Sequence, residues 1–224
     1  DAAAPHRLAG SGHKGTAHPQ SGAHEWIELV RDGLTFDLLG LVDGAASAFP
    51  EVKHRFELTT LPSAGDFEAL VLQPGPHLIA GARSHPVLKG MLALARDLIR
   101  IFDDLAAIVW VPSSSAIGRR FFESVITAWL DGGPFPALGL TAFEPTSDDA
   151  LESCGLDYWI GQELRIEAPL SADRVAATRL GIRLVNHLTL VGALGEDERI
   201  IAPDGTRLVL RPTPDRKLIR VWRE

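Results

Sequence analysis

The sequence is short of the residues from which ready-made chemistry is usually built. It holds one cysteine, Cys154, so the chain alone assembles neither an internal disulfide nor a thiolate zinc site. No apolar run approaches the roughly 18 residues that span a bilayer, so no membrane contact is expected. Basic residues are outnumbered, 22 Lys and Arg against 29 Asp and Glu. The resulting net charge of −7 excludes nonspecific nucleic-acid binding as the main task, because neutralising phosphates needs clustered cations. Walker glycines, a dinucleotide fingerprint, GxSxG and a Ser-x-x-Lys pair at the serine run are all missing. "HEWIE", starting at His24, lacks the second histidine of a zincin helix. These gaps predict no cofactor and no metal. The lone cysteine suits a reducing cytoplasm, the expected compartment. The chain opens at Asp1 without a methionine, which leaves a removed signal peptide as the alternative.

What is present describes a globular chain. At 224 residues, with 46% hydrophobic and 23% charged, there is enough apolar material for a sizeable core. Residues 1–24 stand apart: Ala, Gly, His, Pro and Ser dominate, and Leu8 is the only large aliphatic residue. Such a segment buries too little apolar area to offset its ordering entropy and is expected to be a flexible tail. Four of the eight histidines lie in it (His6, His13, His18, His24) without ligand spacing. Residues 25–224 are expected to form a single α+β domain.

Within that domain, "WIELV", Asp32-Gly33 and "LTFDLLGL" predict a hairpin. A loop is expected over 42–53, strands over 54–60 and 67–73, and an irregular stretch over 74–85, where two prolines and two glycines deny any regular period. A helix follows at 86–103, capped by Ser84, and a short strand at 106–112 that reads as central. The next helix is placed at 116–131, with Ile117, Phe121, Val125, Ala128 and Trp129 facing inward. Strands are expected at 137–144 and 158–168, around an acidic connection. A third helix is expected at 171–191, capped by Ser171 and turning Ala176, Leu180, Leu184, Leu188 and Val191 inward. The remainder reads as strand, Pro-Asp-Gly turn, strand, turn, strand. The predicted fold is α+β: a mixed, mostly antiparallel sheet with three helices, containing a ferredoxin-like βαββαβ-type unit from 106 onward.

At "AIVWVPSS…FF…AW", "FPALGLTAF" and "YWIGQELRIE" the chain resembles an uncharacterised bacterial domain-of-unknown-function family. The likeness covers about 100–192, while "LTFDLLGL" and "RKLIRVWR" resemble full-length hypothetical proteins of the same kind. That family has no assigned activity, so the resemblance implies a fold and no catalytic residue.

The candidate sites each have a plain alternative. Ser113, Ser114 and Ser115 sit where a helix start exposes backbone donors, with Arg119 and Arg120 one turn on. Ordinary capping is their commonest use; anion or nucleotide sensing is the second, and a serine nucleophile with His77 as base is the third. Glu163 shares a strand face with Arg165 and Glu167, a solvated charge ladder or a general base in a cleft. Between Phe143 and Gly161 lie five acids (Glu144, Asp148, Asp149, Glu152 and Asp157) and no base, whereas 199–224 carries seven bases and three acids. Asp148, Asp149 and Glu152 are candidates for recruiting a basic protein partner; mutual pairing of the two patches is the plain reading. The leading expectation is a protein-binding or adaptor module without catalysis, with a small hydrolase or transferase at Ser113–Arg119 as the rival.

Overall fold

The computed structural model describes residues 26–41, 49–60, 62–63 and 67–224. The expected tail at 1–24 and most of the loop expected at 42–53 lie outside them. In chain order the strands are β1 (Trp26–Arg31), β2 (Leu34–Leu39), β3 (His54–Phe56), β4 (Val71–Pro74), β5 (Ala107–Trp110) and β6 (Ser115–Gly118). They continue with β7 (Ala142–Pro145), β8 (Leu151–Cys154), β9 (Glu163–Ile166), β10 (Glu198–Ile201), β11 (Arg207–Pro212) and β12 (Leu218–Arg223). The long helices are α1 (His85–Ile101), α2 (Arg119–Leu130) and α5 (Arg174–Val191); α3 (Ala137–Leu140) and α4 (Asp157–Ile160) are single turns.

The strands form three sheets, ordered β1-β2-β4, β3-β6-β5 and β10-β11-β12-β9-β8-β7. Seven of the nine pairings are antiparallel, and only β3/β6 and β9/β12 are parallel. The α+β class with three long helices and mostly antiparallel pairing is therefore observed. The ferredoxin-like unit is not assembled, because β5 belongs to one sheet and β7, β8 and β9 to another. One contiguous buried cluster runs from Phe36 on β2 to Val221 on β12. Among the described residues no helix is long and apolar enough to cross a membrane.

The β1–β2 hairpin turns on Asp32 and Gly33, both with positive φ (51° and 78°), as a two-residue turn matched to strand twist requires. α1 packs against this hairpin where Gly90 admits the Phe36 ring; an added Cβ there would lie 3.1 Å from Phe36 Cζ.

Several expectations change at the elements that follow. β5 is an outer strand, and the fully buried central strand is β6, formed by residues assigned above to a helix start. α2 begins only at Arg119 and buries Phe122, Ile126 and Trp129, a face rotated by one residue from the expected one. α5 likewise buries Ala177, Gly181, Leu184, Val185 and Leu188, and leaves Val191 exposed. Its cap is Asp173, which accepts from the Val175 and Ala176 amides; Ser171 is buried and donates to the Asp149 carbonyl. The expected strand at 137–144 opens with the turn α3, and the acidic connection contains β8.

Candidate functional site

The serine run is a tight connection between antiparallel β5 and β6, not a helix cap. A 3-10 turn at Val111–Ser113 leads into Ser114 in the left-handed region, and Ser115 opens β6. Ser113 and Ser115 are fully buried. The Ser113 hydroxyl lies 2.8 Å from Ser115 Oγ and 3.0 Å from the Gly139 carbonyl, and Ser115 donates to the Ser113 carbonyl at 3.2 Å. These hydroxyls stitch the turn to α3 and reach no solvent. Arg119 is committed to Asp103, donating to its carbonyl at 2.6 Å and to its carboxylate at 3.0 Å, while Arg120 is exposed. The expected grouping of serines, arginines and a base is thus not assembled.

His77 is exposed on the 3-10 turn at Pro76–Gly81, with Nε2 3.1 Å from Thr35 Oγ1 on β2. Beside it, Asp37 is buried with one carboxylate oxygen lacking a partner among the described residues. Burial, with Glu28 across the strand pair, holds its carboxyl above the usual range, and His77 opposes this. Two further histidines link elements: His54 on β3 meets Glu144 on β7 at 2.9 Å, and His187 on α5 meets Glu198 on β10 at 2.8 Å. His187 is therefore paired with a carboxylate.

Glu163 has the most perturbed carboxyl. Ser153 Oγ donates to it, as do the amides of Gly155 at 2.7 Å and Leu156 at 3.2 Å. Burial pushes its pKa up to about 7, Ser153 opposes the shift, and the neighbouring Asp157 carboxyl, hydrogen-bonded to it, adds to it. A proton held near neutrality is what a general base needs, but the Glu163 oxygens are taken up by protein donors. Ser153, which the sequence reading missed, also accepts from the Leu164 amide at 2.7 Å. The adjacent Cys154 thiol is pushed up by burial and by Glu163, so it stays protonated.

Farther along β9, Arg165 donates to Asp148, to Glu152 at 3.2 Å and to Glu167 at 3.0 Å, while Arg220 on β12 also donates to Glu167. Glu163, Arg165 and Glu167 do share a face, opposite the fully buried Leu164 and Ile166. Glu167 is itself buried and Arg165 nearly so, and they join the exposed Asp148 and the partly exposed Glu152 and Arg220 in one paired ion network. Asp148 and Glu152 are spent on it. Asp149 remains 92% exposed, 4.0 Å from Arg174.

The feature best suited to holding another molecule lies elsewhere. A cavity of about 310 Å³ is lined by every residue from 67 to 72 and every residue from 104 to 111. Of these runs, Val71 and Leu72 belong to β4 and Ala107–Trp110 to β5; 67–70, 104–106 and Val111 lie outside the strands. β4 and β5 are the outer strands of their two sheets, and neither has a second strand partner among the described residues. Met91, Leu92, Ala95 and Leu98, one stripe of α1, form the floor. Among the described residues of the lining, Glu68 and Asp104 are the only charged ones, and both are acidic. At one end Trp110 stacks on Trp159 at 5.8 Å, and Trp159 meets Phe135 at 4.8 Å. The buried indole nitrogens of Trp110 and Trp159 lack partners among the described residues.

Comparison with protein-family models, with curated proteins and with solved structures finds no match in any of the three.

Proposed function

We propose that the protein is a protein-binding module whose partner docks in the groove between β4 and β5. One observation carries this reading: residues of two outer strands, Val71 and Leu72 of β4 and Ala107–Trp110 of β5, line a single, mostly apolar space above a helix floor. An open edge is a template for another chain unless it is charged, bulged or covered, and here the flanking surface is apolar. The acidic 146–152 segment is not the docking surface in this reading, because Asp148 and Glu152 are already engaged with Arg165. Catalysis at the serines is not part of it, since their hydroxyls are buried. The bacterial family that 100–192 resembles is carried as part of the proposal.

Photo-crosslinking in cells that make the protein tests it. Benzoylphenylalanine placed at Leu70 or Ile108, on opposite walls, is expected to trap the same partner, and at Asp149 to trap none. Adducts at position 149 alone would move the site to the acidic segment. Absence of adducts at both wall positions, with the folded protein present, would end the groove reading.

A further inference from the structure

Residues 155–162 connect β8 to β9 and carry α4. Glycines at positive φ flank α4 on both sides, Gly155 at 90° and Gly161 at 83°. The side chains of α4 reach an aromatic cluster: Tyr158 meets Trp110 edge-on at 5.5 Å, and Trp159 stacks on Trp110 at 5.8 Å. Glu163 holds the base of this connection. Its carboxyl receives the Gly155 and Leu156 amides and the Ser153 hydroxyl, and the Asp157 amide and carboxyl complete its surroundings. Three amides and a hydroxyl are all donors. A proton on Glu163 needs an acceptor, and among its described partners that acceptor is the Asp157 carboxylate. Two carboxyls in contact resist double ionisation and hold one proton between them.

The other groups facing Glu163 supply no free cation. Cys154 on β8 stays a neutral thiol. Arg165, two residues along β9, is committed to Asp148, Glu152 and Glu167. On β12 the residue in register with Glu163 is Leu218. The exposed Lys217 beside it contributes its carbonyl, which accepts from the Glu163 amide at 2.9 Å. Loss of the proton therefore leaves two carboxylates side by side, one of them partly buried. Asp157 is exposed and opens α4, so parting the charges draws the start of α4 outward, with Tyr158 and Trp159 behind it.

We infer that Glu163 and Asp157 share a single proton that latches α4 against Trp110, and that its release displaces Tyr158 and Trp159. Release falls close to pH 7, the value to which Glu163 is pushed up by burial first and by Asp157 after it, so α4 is latched below this pH and freed above it. Trp110 also lines the groove, so the state of this proton reaches the groove's end. The latch itself does not depend on what the groove holds.

The test reads both ends of the latch in the full chain. The protein is labelled with 5-fluorotryptophan and with 13C in its glutamate carboxyls, and NMR spectra are recorded between pH 5 and 9. Trp159→Phe and Glu163→Gln assign the two resonances, and Trp26 on β1 and Trp222 on β12 serve as references. The Trp159 fluorine resonance is expected to shift in one step, with the midpoint of the Glu163 carboxyl, while the references stay flat. In Glu163→Gln the step disappears, because the amide cannot ionise and still donates to Asp157. In Asp157→Asn the Trp159 step disappears as well, and the Glu163 midpoint falls by about one pH unit once the neighbouring charge is gone. A Trp159 resonance that stays flat while Glu163 ionises overturns the latch, because the Asp157 side chain alone has then turned to solvent. A step that persists in Glu163→Gln overturns it too, and an unchanged Glu163 midpoint in Asp157→Asn overturns the shared proton. The wild-type midpoints decide between latch and no latch even where a variant fails to fold.

Discussion

Glu163 shows how far a single side chain departs from what its neighbours in sequence suggest. Its pKa in the fold, about 7, lies well above the ordinary 4.5. The native protein therefore keeps a proton there that the unfolded chain releases between those values. The stabilisation is full below about pH 4.5 and is lost as pH rises through about 7. Wild-type protein should lose stability across this window by about 1–3 kcal/mol from this group. Glu163→Gln, which cannot ionise, should flatten that slope when urea midpoints are measured from pH 5 to 8. An unchanged slope would place the proton elsewhere. Arg165 supports a second residue-level prediction, because three carboxylates depend on it and Glu167 is buried. Arg165→Ala should cost about 3 kcal/mol in urea unfolding, and removing Glu167 as well should recover part of the loss.

Among elements, local pattern succeeds where the structure is local. Asp-Gly between alternating apolar residues specifies the β1–β2 hairpin by itself, and the α1 stripe follows from 3.6-residue spacing. It fails where a distant segment decides. Ser115–Gly118 pairs antiparallel with the nearby β5, but it is a central strand because β3, some sixty residues earlier, pairs with its other edge in parallel. Without that partner, three serines before an apolar run read as a cap. Gly118 marks the contact: a Cβ there would lie 2.4 Å from the Glu57 carbonyl. Gly118→Ala should therefore destabilise by about 2–4 kcal/mol, since backbone and not a mobile side chain blocks it. A loss below about 0.5 kcal/mol in urea unfolding would contradict the close approach. Gly181 explains the rotated face of α5 in the same way, because the Phe143 ring occupies the space over it. Nothing in the sequence near Gly181 names that ring.

At the scale of the whole molecule, the class and the main helices were legible in the sequence, but the division into three sheets and the groove were not. A groove between distant segments has no motif. Residues 67–72 and 104–111 read as apolar stretches in the sequence, and only the fold brings them to one cavity. The candidate sites read from the sequence were polar clusters, and the structure commits most of them to internal hydrogen bonds and ion pairs. Filling the groove should separate binding from folding. Ala95→Phe, on the α1 floor, is expected to abolish crosslinking from Leu70 and Ile108 while changing stability by less than about 2 kcal/mol. Retained crosslinking would show that the partner does not enter the space.

Amide hydrogen exchange of the full chain, free and bound to the partner trapped by the wall crosslinks, tests the central claim most directly. Binding in the groove predicts slowed exchange in 67–72 and 104–111 together, with 146–152 unchanged. Protection of one segment alone, or of 146–152 instead, would contradict it.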